Sequence, residues 1–121
     1  MNSLTVAAAF LYVTTTSAAA EAWTCSYIGQ DHEASLTRFE VSPPDLVETE
    51  FQKHYRILEN NDYGLVAASS ISQIEKGDKT PTVGVTTVVI NKGTGEFWLS
   101  IILAGQGQSV NHPVHGKCLK S

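Results

Sequence analysis

Residues 82–104 read TVGVTTVVINKGTGEFWLSIILA, and this stretch decides the fold class. Over 82–90, valines alternate with small or hydroxyl-bearing side chains, a composition typical of a β-strand. The segment NKGTG at 91–95 carries two glycines that tolerate a positive φ, and it predicts a hairpin turn. Residues 97–104 form a second predicted strand. It is apolar on both sides, so we expect both of its faces to be covered.

The same pattern extends outward in both directions, because turn-forming residues interrupt the chain at short, regular intervals. The segment at 105–113 is expected to be a flexible, uncharged loop. We therefore predict an all-β domain, a small antiparallel barrel or sandwich of seven to eight strands in meander order. The predicted strands are 23–28, 33–41, 46–51, 53–59, 65–74, 82–90, 97–104 and 114–119.

The length and composition predict one globular domain. The chain has 121 residues, of which 42% are hydrophobic and 17% are charged, and this composition excludes wholesale disorder. The formal net charge is −4 and the pI is about 5.4. Nucleic-acid-binding domains carry basic patches and a pI above about 9, so no nucleic-acid partner is expected.

The N-terminal segment is typical of a secretory signal peptide. Residues 1–20 contain no charged side chain, and Leu4–Val13 is an apolar run followed by small residues. Cleavage after Ala20 or after Ala22 satisfies the small-x-small rule, leaving a single all-β domain at 21–121. The alternatives are an uncleaved anchor and a core element, but the run is too short for a membrane span of about 20 apolar residues. We expect a periplasmic or secreted protein with no membrane span after cleavage.

The two cysteines, Cys25 and Cys118, lie near the two ends of the predicted mature chain. In an oxidising compartment, an isolated pair of this kind is expected to form a disulfide. The alternative is two free buried thiols. A disulfide between these positions predicts that the first and last strands are neighbours.

Candidate catalytic and metal-binding patterns are weak in this chain. His112 and His115 are three residues apart, but Pro113 and the predicted strand do not give the geometry that a metal needs, so no metal or cofactor is predicted. Glu48 and Glu50 are expected to share one exposed strand face, as solvated carboxylates do. There is no GxSxG segment, so we predict no catalytic residue and no enzyme.

A mixture of aromatic, ionic and amide side chains beside a predicted turn suggests a recognition edge. Trp98 is a further candidate with two interpretations: an outward Trp98 beside Ile102 would be a binding hot spot, and an inward one would be core. The predicted binding residues are Tyr55, Arg56, Asn60, Asn61, Tyr63, Trp98 and His112.

Four segments carry a resemblance to known proteins: Trp23-x-Cys25, Tyr55-x-Ile57-x-Glu59-Asn60-Asn61, Asn91–Phe97 and Gly116-Lys117-Cys118. With them the chain resembles small uncharacterised exported proteins of alphaproteobacteria, which implies a periplasmic address and no activity. The terminal cysteine pair and Lys92-Gly93 are also similar to the C-type lysozyme inhibitors of the bacterial periplasm, although the Ser-Gly-x-x-Tyr loop of those inhibitors is not present here.

These observations predict an exported, non-enzymatic binding module of the bacterial envelope, an inhibitor or an accessory protein. Its expected partner is an envelope protein or a glycan, and its expected contact surface is the end that carries the loops at 60–64 and 105–113. One alternative is a small-ligand carrier with an apolar barrel interior, and another is an enzyme of unknown class. The carrier interior would be lined by Phe39, Ile57, Val85 and Leu99.

Overall fold

The structure, a computed structural model, describes residues 21–29, 31–73, 82–105 and 108–121, with backbone only for Gln73 and residues 108–112. Eight antiparallel strands form a closed barrel, which confirms the all-β prediction and selects the barrel over the sandwich. No helix in the described residues is long and apolar enough to cross a membrane. The strands are β1 (Ala22–Ile28), β2 (Ala34–Ser42), β3 (Asp45–Glu48), β4 (Lys53–Asn60), β5 (Gly64–Gln73), β6 (Thr82–Asn91), β7 (Glu96–Gly105) and β8 (Gln108–Lys120).

The barrel closes where β1 pairs with β8, which we call the closing seam. Cys25 lies directly opposite Cys118 in this seam, and the two form the predicted disulfide. The first and last strands are therefore neighbours, as predicted. Linking positions that are 93 residues apart restricts the unfolded chain, and in the chain-entropy model this stabilises the fold by about 4–5 kcal/mol.

Inward side chains of the strands fill one half of the barrel with an apolar core. Three aromatic rings meet there: the Phe39 centroid lies 5.8 Å from that of Phe97 and 6.2 Å from that of Tyr55. Edge-on and tilted contacts of this kind add about 0.5–1.5 kcal/mol per pair to the effect of burial. The largest fully buried side chains are Phe39, Phe97, Leu46, Leu65, Ile90, Val88, Thr86 and Cys25.

The inward face of β6 is the opposite of the one we expected. Thr86 and Val88 are buried, so Val85 lies on the outer face and does not line the interior. Strand alternation has a period of two, and by itself it does not say which of the two faces is buried. The other residues predicted to line the interior do lie in or against the core: Phe39, Ile57 and Leu99.

Two predicted boundaries were wrong. The segment at 105–113 is mostly strand, because β7 continues to Gly105 and β8 begins at Gln108 and pairs with it. The third strand was predicted to reach Phe51, but β3 ends at Glu48. The Glu48 carboxylate accepts hydrogen bonds from the backbone N–H groups of Glu50 and Phe51, and this contact turns the chain there.

Strands β5 to β8 are longer than β1 to β4 and continue beyond them as a four-stranded extension. The pairing of β4 with β5 stops at Ala68, and the pairing of β1 with β8 begins only at Gly116. Within the described part of the chain, residues 69–73 and 108–115 are therefore paired on one side only.

The hairpins alternate between the two ends of the barrel. The turns at 61–63 and 92–95 lie at one end, the asparagine end. The turn at 49–52 and the β7–β8 hairpin lie at the other end, the mouth. The predicted contact surface joined the loops at 60–64 and 105–113, but these lie at opposite ends. That prediction was wrong because three strands, β5, β6 and β7, separate the two hairpins, and an odd number of strands in a meander puts its two ends at opposite ends of the barrel.

The closing seam leaves no room for a side chain at Gly116. A Cβ there would overlap the Ser26 carbonyl oxygen and would lie 2.9 Å from the Cβ of Tyr27. We expect Gly116→Ala to lower the free energy of unfolding by about 1–3 kcal/mol, because β8 must move away from β1. Urea unfolding followed by tryptophan fluorescence measures the loss.

Gly93→Ala is the matched control for this prediction. Gly93 lies in an exposed turn, where a Cβ would meet only the Asn91 side chain, at 3.4 Å. Equal losses of stability in the two variants would contradict a tightly packed seam.

Candidate functional site

The two turns of the asparagine end are each shaped by an asparagine side chain. Asn61 Oδ1 accepts hydrogen bonds from the backbone N–H groups of Tyr63 at 2.8 Å and Gly64 at 3.0 Å. Asn91 Oδ1 accepts an equivalent bond from Gly93 at 2.9 Å. These are Asx-turns, in which the side chain replaces a backbone acceptor. Asn61, a predicted binding residue, therefore shapes its own turn.

Lys92 ties the start of β1 to these turns, in a group of four residues that we call the Lys92 cluster. Its ammonium donates to Asn60 Oδ1 at 2.6 Å and lies 3.0 Å from Glu21 Oε2. The same carboxylate oxygen accepts the Trp23 indole N–H at 2.7 Å. Burial acts to raise the pKa of Glu21. The hydrogen bonds from Trp23 and Lys92, with the Lys92 charge, outweigh burial and hold that pKa below its ordinary value of 4.5.

Sequence reasoning found Asn60 but missed Glu21 and Lys92. The two residues are far apart in the chain, and each by itself looks like an ordinary surface charge. Only the closing of the barrel brings the start of β1 beside the turn at 92–95. No local pattern signals this contact.

Tyr55 and Arg56 do not form a common recognition edge, because neighbouring residues of a strand face opposite sides. Tyr55 is buried in the core. Arg56 is exposed, and its Nε lies 3.3 Å from Asp45 Oδ1 on the neighbouring strand. The predicted grouping was therefore wrong for Tyr55, although its ring reaches the pocket described below.

Trp98 lies on the outer face of β7 and is 43% exposed, so it is a surface residue and not part of the core. Its ring stacks on the His115 ring, with centroids 4.1 Å apart and planes 15° apart. Val89 lies opposite it on β6, and Ile102 is exposed further along β7. The expectation that both faces of this strand are covered was wrong for the described residues. We call this surface, with Val66, Val89, Trp98 and Ile102, the outer apolar face.

Tyr63 extends the outer apolar face toward the asparagine end. The side chain is 84% exposed and borders a shallow groove of about 270 Å³. Val66 and Val89 line the groove, with Glu59 at its polar side. Tyr63 and Trp98 thus lie on opposite sides of the neighbouring valines Val66 and Val89.

His112 belongs to β8 and pairs with Ile101, and its side chain lies outside the described residues. The structure places Tyr63 and Trp98, which were predicted in two separate candidate surfaces, on one outer face. It separates that surface from Arg56 on β4 and from the interior position of Tyr55.

A second concave site lies at the mouth of the barrel, and sequence reasoning did not identify it. This mouth pocket has a volume of about 280 Å³. Glu48 was expected on an exposed face with Glu50, but its side chain lines the pocket and the residue is only 8% exposed. Burial, with the negative charge of Glu48 and the neighbouring Tyr27, raises the pKa of Tyr55 to about 12. The Tyr55 hydroxyl therefore stays protonated at neutral pH.

The described residues bring together no group of three His, Cys, Asp or Glu side chains that could hold a metal ion. Comparison of the chain with protein-family models, with curated proteins and with solved structures finds no match. Functional inference therefore depends on the geometry of the two surfaces.

The Lys92 cluster predicts how stability depends on pH. A carboxyl with a lowered pKa in the folded state stabilises the fold above its unfolded-state pKa, and this contribution is lost as the pH falls through the folded-state pKa. We expect Glu21→Gln to cost about 1–3 kcal/mol at pH 7, the usual range for a hydrogen bond to a charged group. The cost should shrink as the pH falls below 4.5.

Urea unfolding between pH 3 and 7 measures this difference. Glu33→Gln is the matched control, because Glu33 is exposed and has no ion pair among the described residues. A cost of Glu21→Gln that stays constant with pH would contradict the role of the Glu21 charge.

Proposed function

We propose that this protein is an exported, non-enzymatic binding module of the bacterial envelope that engages a partner protein through its outer apolar face. The single observation that carries the proposal is the outward position of Trp98, with Val89 beside it on β6 and Ile102 exposed on the same face of β7. Tryptophan is enriched among the residues that contribute most to protein–protein binding. Exposed apolar side chains that lie together on a protein surface often mark an interaction site.

The stacking of Trp98 on His115 supports this role, because it fixes the indole before any partner arrives. A side chain that is already ordered loses less conformational entropy on binding. The strands beneath are equally constrained, since β6 and β7 are paired along most of their length.

The expected partner surface is basic around an apolar centre. Glu59 borders the groove beside Tyr63, and the half-exposed Glu96 lies near His115 at the other side of the face. The net charge of the chain is −4. Complementary charge around an apolar centre speeds association and favours one partner over others.

Two features support the envelope address. The Cys25–Cys118 disulfide is of a kind that persists in oxidising compartments. The segment at 1–20 has the composition of a signal peptide, although it lies outside the described residues.

A photo-crosslinking experiment in the envelope of the producing cell tests the proposal. Ser100→p-benzoylphenylalanine places the reactive group on the outer face of β7 beside an intact Trp98. We expect an adduct with a basic envelope protein, identified by mass spectrometry. Trp98→Ala should remove the adduct and Glu96→Gln should weaken it.

The matched control carries the same group at Leu119, an exposed apolar position on the closing seam. Equal adducts at both positions, or an adduct insensitive to Trp98→Ala, would overturn the proposal. An adduct of twice the mass of the chain would do so too, because it would show that a second copy covers the face.

The second candidate function, a small-ligand carrier, is favoured by the mouth pocket. Small barrels usually fill their interior with side chains. Among the described residues, the buried cluster lies in the core half, and a pocket of about 280 Å³ is present at the mouth.

A further inference from the structure

The mouth pocket has an apolar floor and aromatic walls. Phe39 and Leu99 lie at the base, where the pocket meets the core, and the rings of Tyr27 and Tyr55 form its sides. Its volume of about 280 Å³ is just below the range of about 300–1,000 Å³ that is usual for small-molecule sites. The pocket therefore suits a compact ligand with an apolar body.

The rim of the pocket exposes two large apolar side chains to water. Leu36 is 70% exposed and Phe51 is 79% exposed, and both line the opening. Covering apolar surface contributes roughly 25 cal/mol per Å². A ligand that reaches the rim would gain from covering both side chains.

The polar side of the pocket is Glu48, which holds an unused acceptor position. Its Oε1 accepts hydrogen bonds from the Glu50 N–H at 2.9 Å and from Thr37 Oγ1 at 3.2 Å. Its Oε2 accepts only the Phe51 N–H, at 2.9 Å, among the described residues. A carboxylate oxygen has two acceptor positions, so one remains on Oε2. The neighbouring Tyr55 hydroxyl donates no hydrogen bond to any described residue.

A cation already lies at this site, supplied by the chain. The Lys53 ammonium lies 5.3 Å from the centroid of the Tyr55 ring, in cation–π range. The pocket also contains the carboxylates of Glu48 and Glu50, so its formal charge with Lys53 in place is −1. The described lining of the pocket therefore carries one more carboxylate than cation, and this net negative charge attracts positive charge.

We propose that the mouth pocket binds a small amphipathic amine, with its alkyl or aryl body between Phe39 and the rim and its ammonium facing Glu48 and Glu50. The apolar floor and rim select the body. The net negative charge of the described lining and the aromatic walls select a cationic head over a neutral or an anionic one. The Lys53 ammonium, on a flexible stem at the exposed rim, competes with the ligand for the same walls.

Three probes with one body and different heads test the selectivity. Octylamine, octanol and octanoate are titrated against the full oxidised chain at pH 7 by calorimetry. We expect octylamine to bind most tightly and octanoate most weakly. Phe51→Ala should weaken octylamine binding, because it removes part of the apolar rim.

Variants that change the charge of exposed side chains at the pocket test whether the site prefers a positively or a negatively charged head group. Glu50→Gln should weaken octylamine binding about 2- to 5-fold, and Lys53→Met should strengthen it by a similar factor, as expected for partly screened charge pairs. Glu59→Gln removes the same charge on the outer surface and serves as the matched control, with no change expected. None of these side chains belongs to the buried core, and near-ultraviolet circular dichroism verifies that each variant is folded.

Two outcomes would overturn the proposal. One is tightest binding of octanoate with weakening by Lys53→Met, which would show an anion site centred on Lys53. The other is binding of none of the probes up to millimolar concentration. Trp98→Ala should leave octylamine binding unchanged, so this test and the crosslinking test of the outer apolar face fail or succeed independently.

Discussion

The pairing of β1 with β8 is the constraint on which the rest of the structure depends. It converts a linear series of hairpins into a closed surface, and it holds Cys25 opposite Cys118. The Cys118 N–H donates to the Gly95 carbonyl oxygen at 2.7 Å, so the same strand also anchors the turn between β6 and β7. Both proposed sites lie on strands whose positions follow from this closure.

Local sequence patterns predicted the positions of the strands well, but they predicted poorly which side of each strand points into the barrel. The hairpin at 82–104 is clear from valines and glycines alone, and all eight predicted strands exist. Which face points inward is decided by neighbours: Thr86 is buried opposite Ile101, while Val85 is outside with Ile102. The Thr86 hydroxyl has no hydrogen-bond partner among the described residues. Because Thr86 shares a strand face with Val88 and Ile90, burying the two apolar side chains also buries the Thr86 hydroxyl. No local sequence rule predicts that this face, and not the face of Val85, points inward.

The candidate sites likewise combine features that the sequence predicts with features that only the folded structure shows. The residue type of Trp98 made it a candidate, but its outward direction depends on the register with Val89 and His115. The opposite placement of the loops at 60–64 and 105–113 follows from the meander order alone and was predictable. The mouth pocket was not, because it depends on Glu48 turning inward to hold the N–H groups of its own turn.

The four-stranded extension leaves a row of backbone amides and carbonyls along β5 with no strand beside it in the described chain. Such a border can act as a template for a foreign extended segment and so for polymerisation. Here the border reads Ser69-Ser70-Ile71-Ser72, so three of its four side chains are polar and uncharged. The chain therefore combines the exposed outer apolar face with a largely polar edge along β5. Apolar substitutions along this edge would favour pairing with another extended chain, and so fibre growth, over ordered contact with a partner.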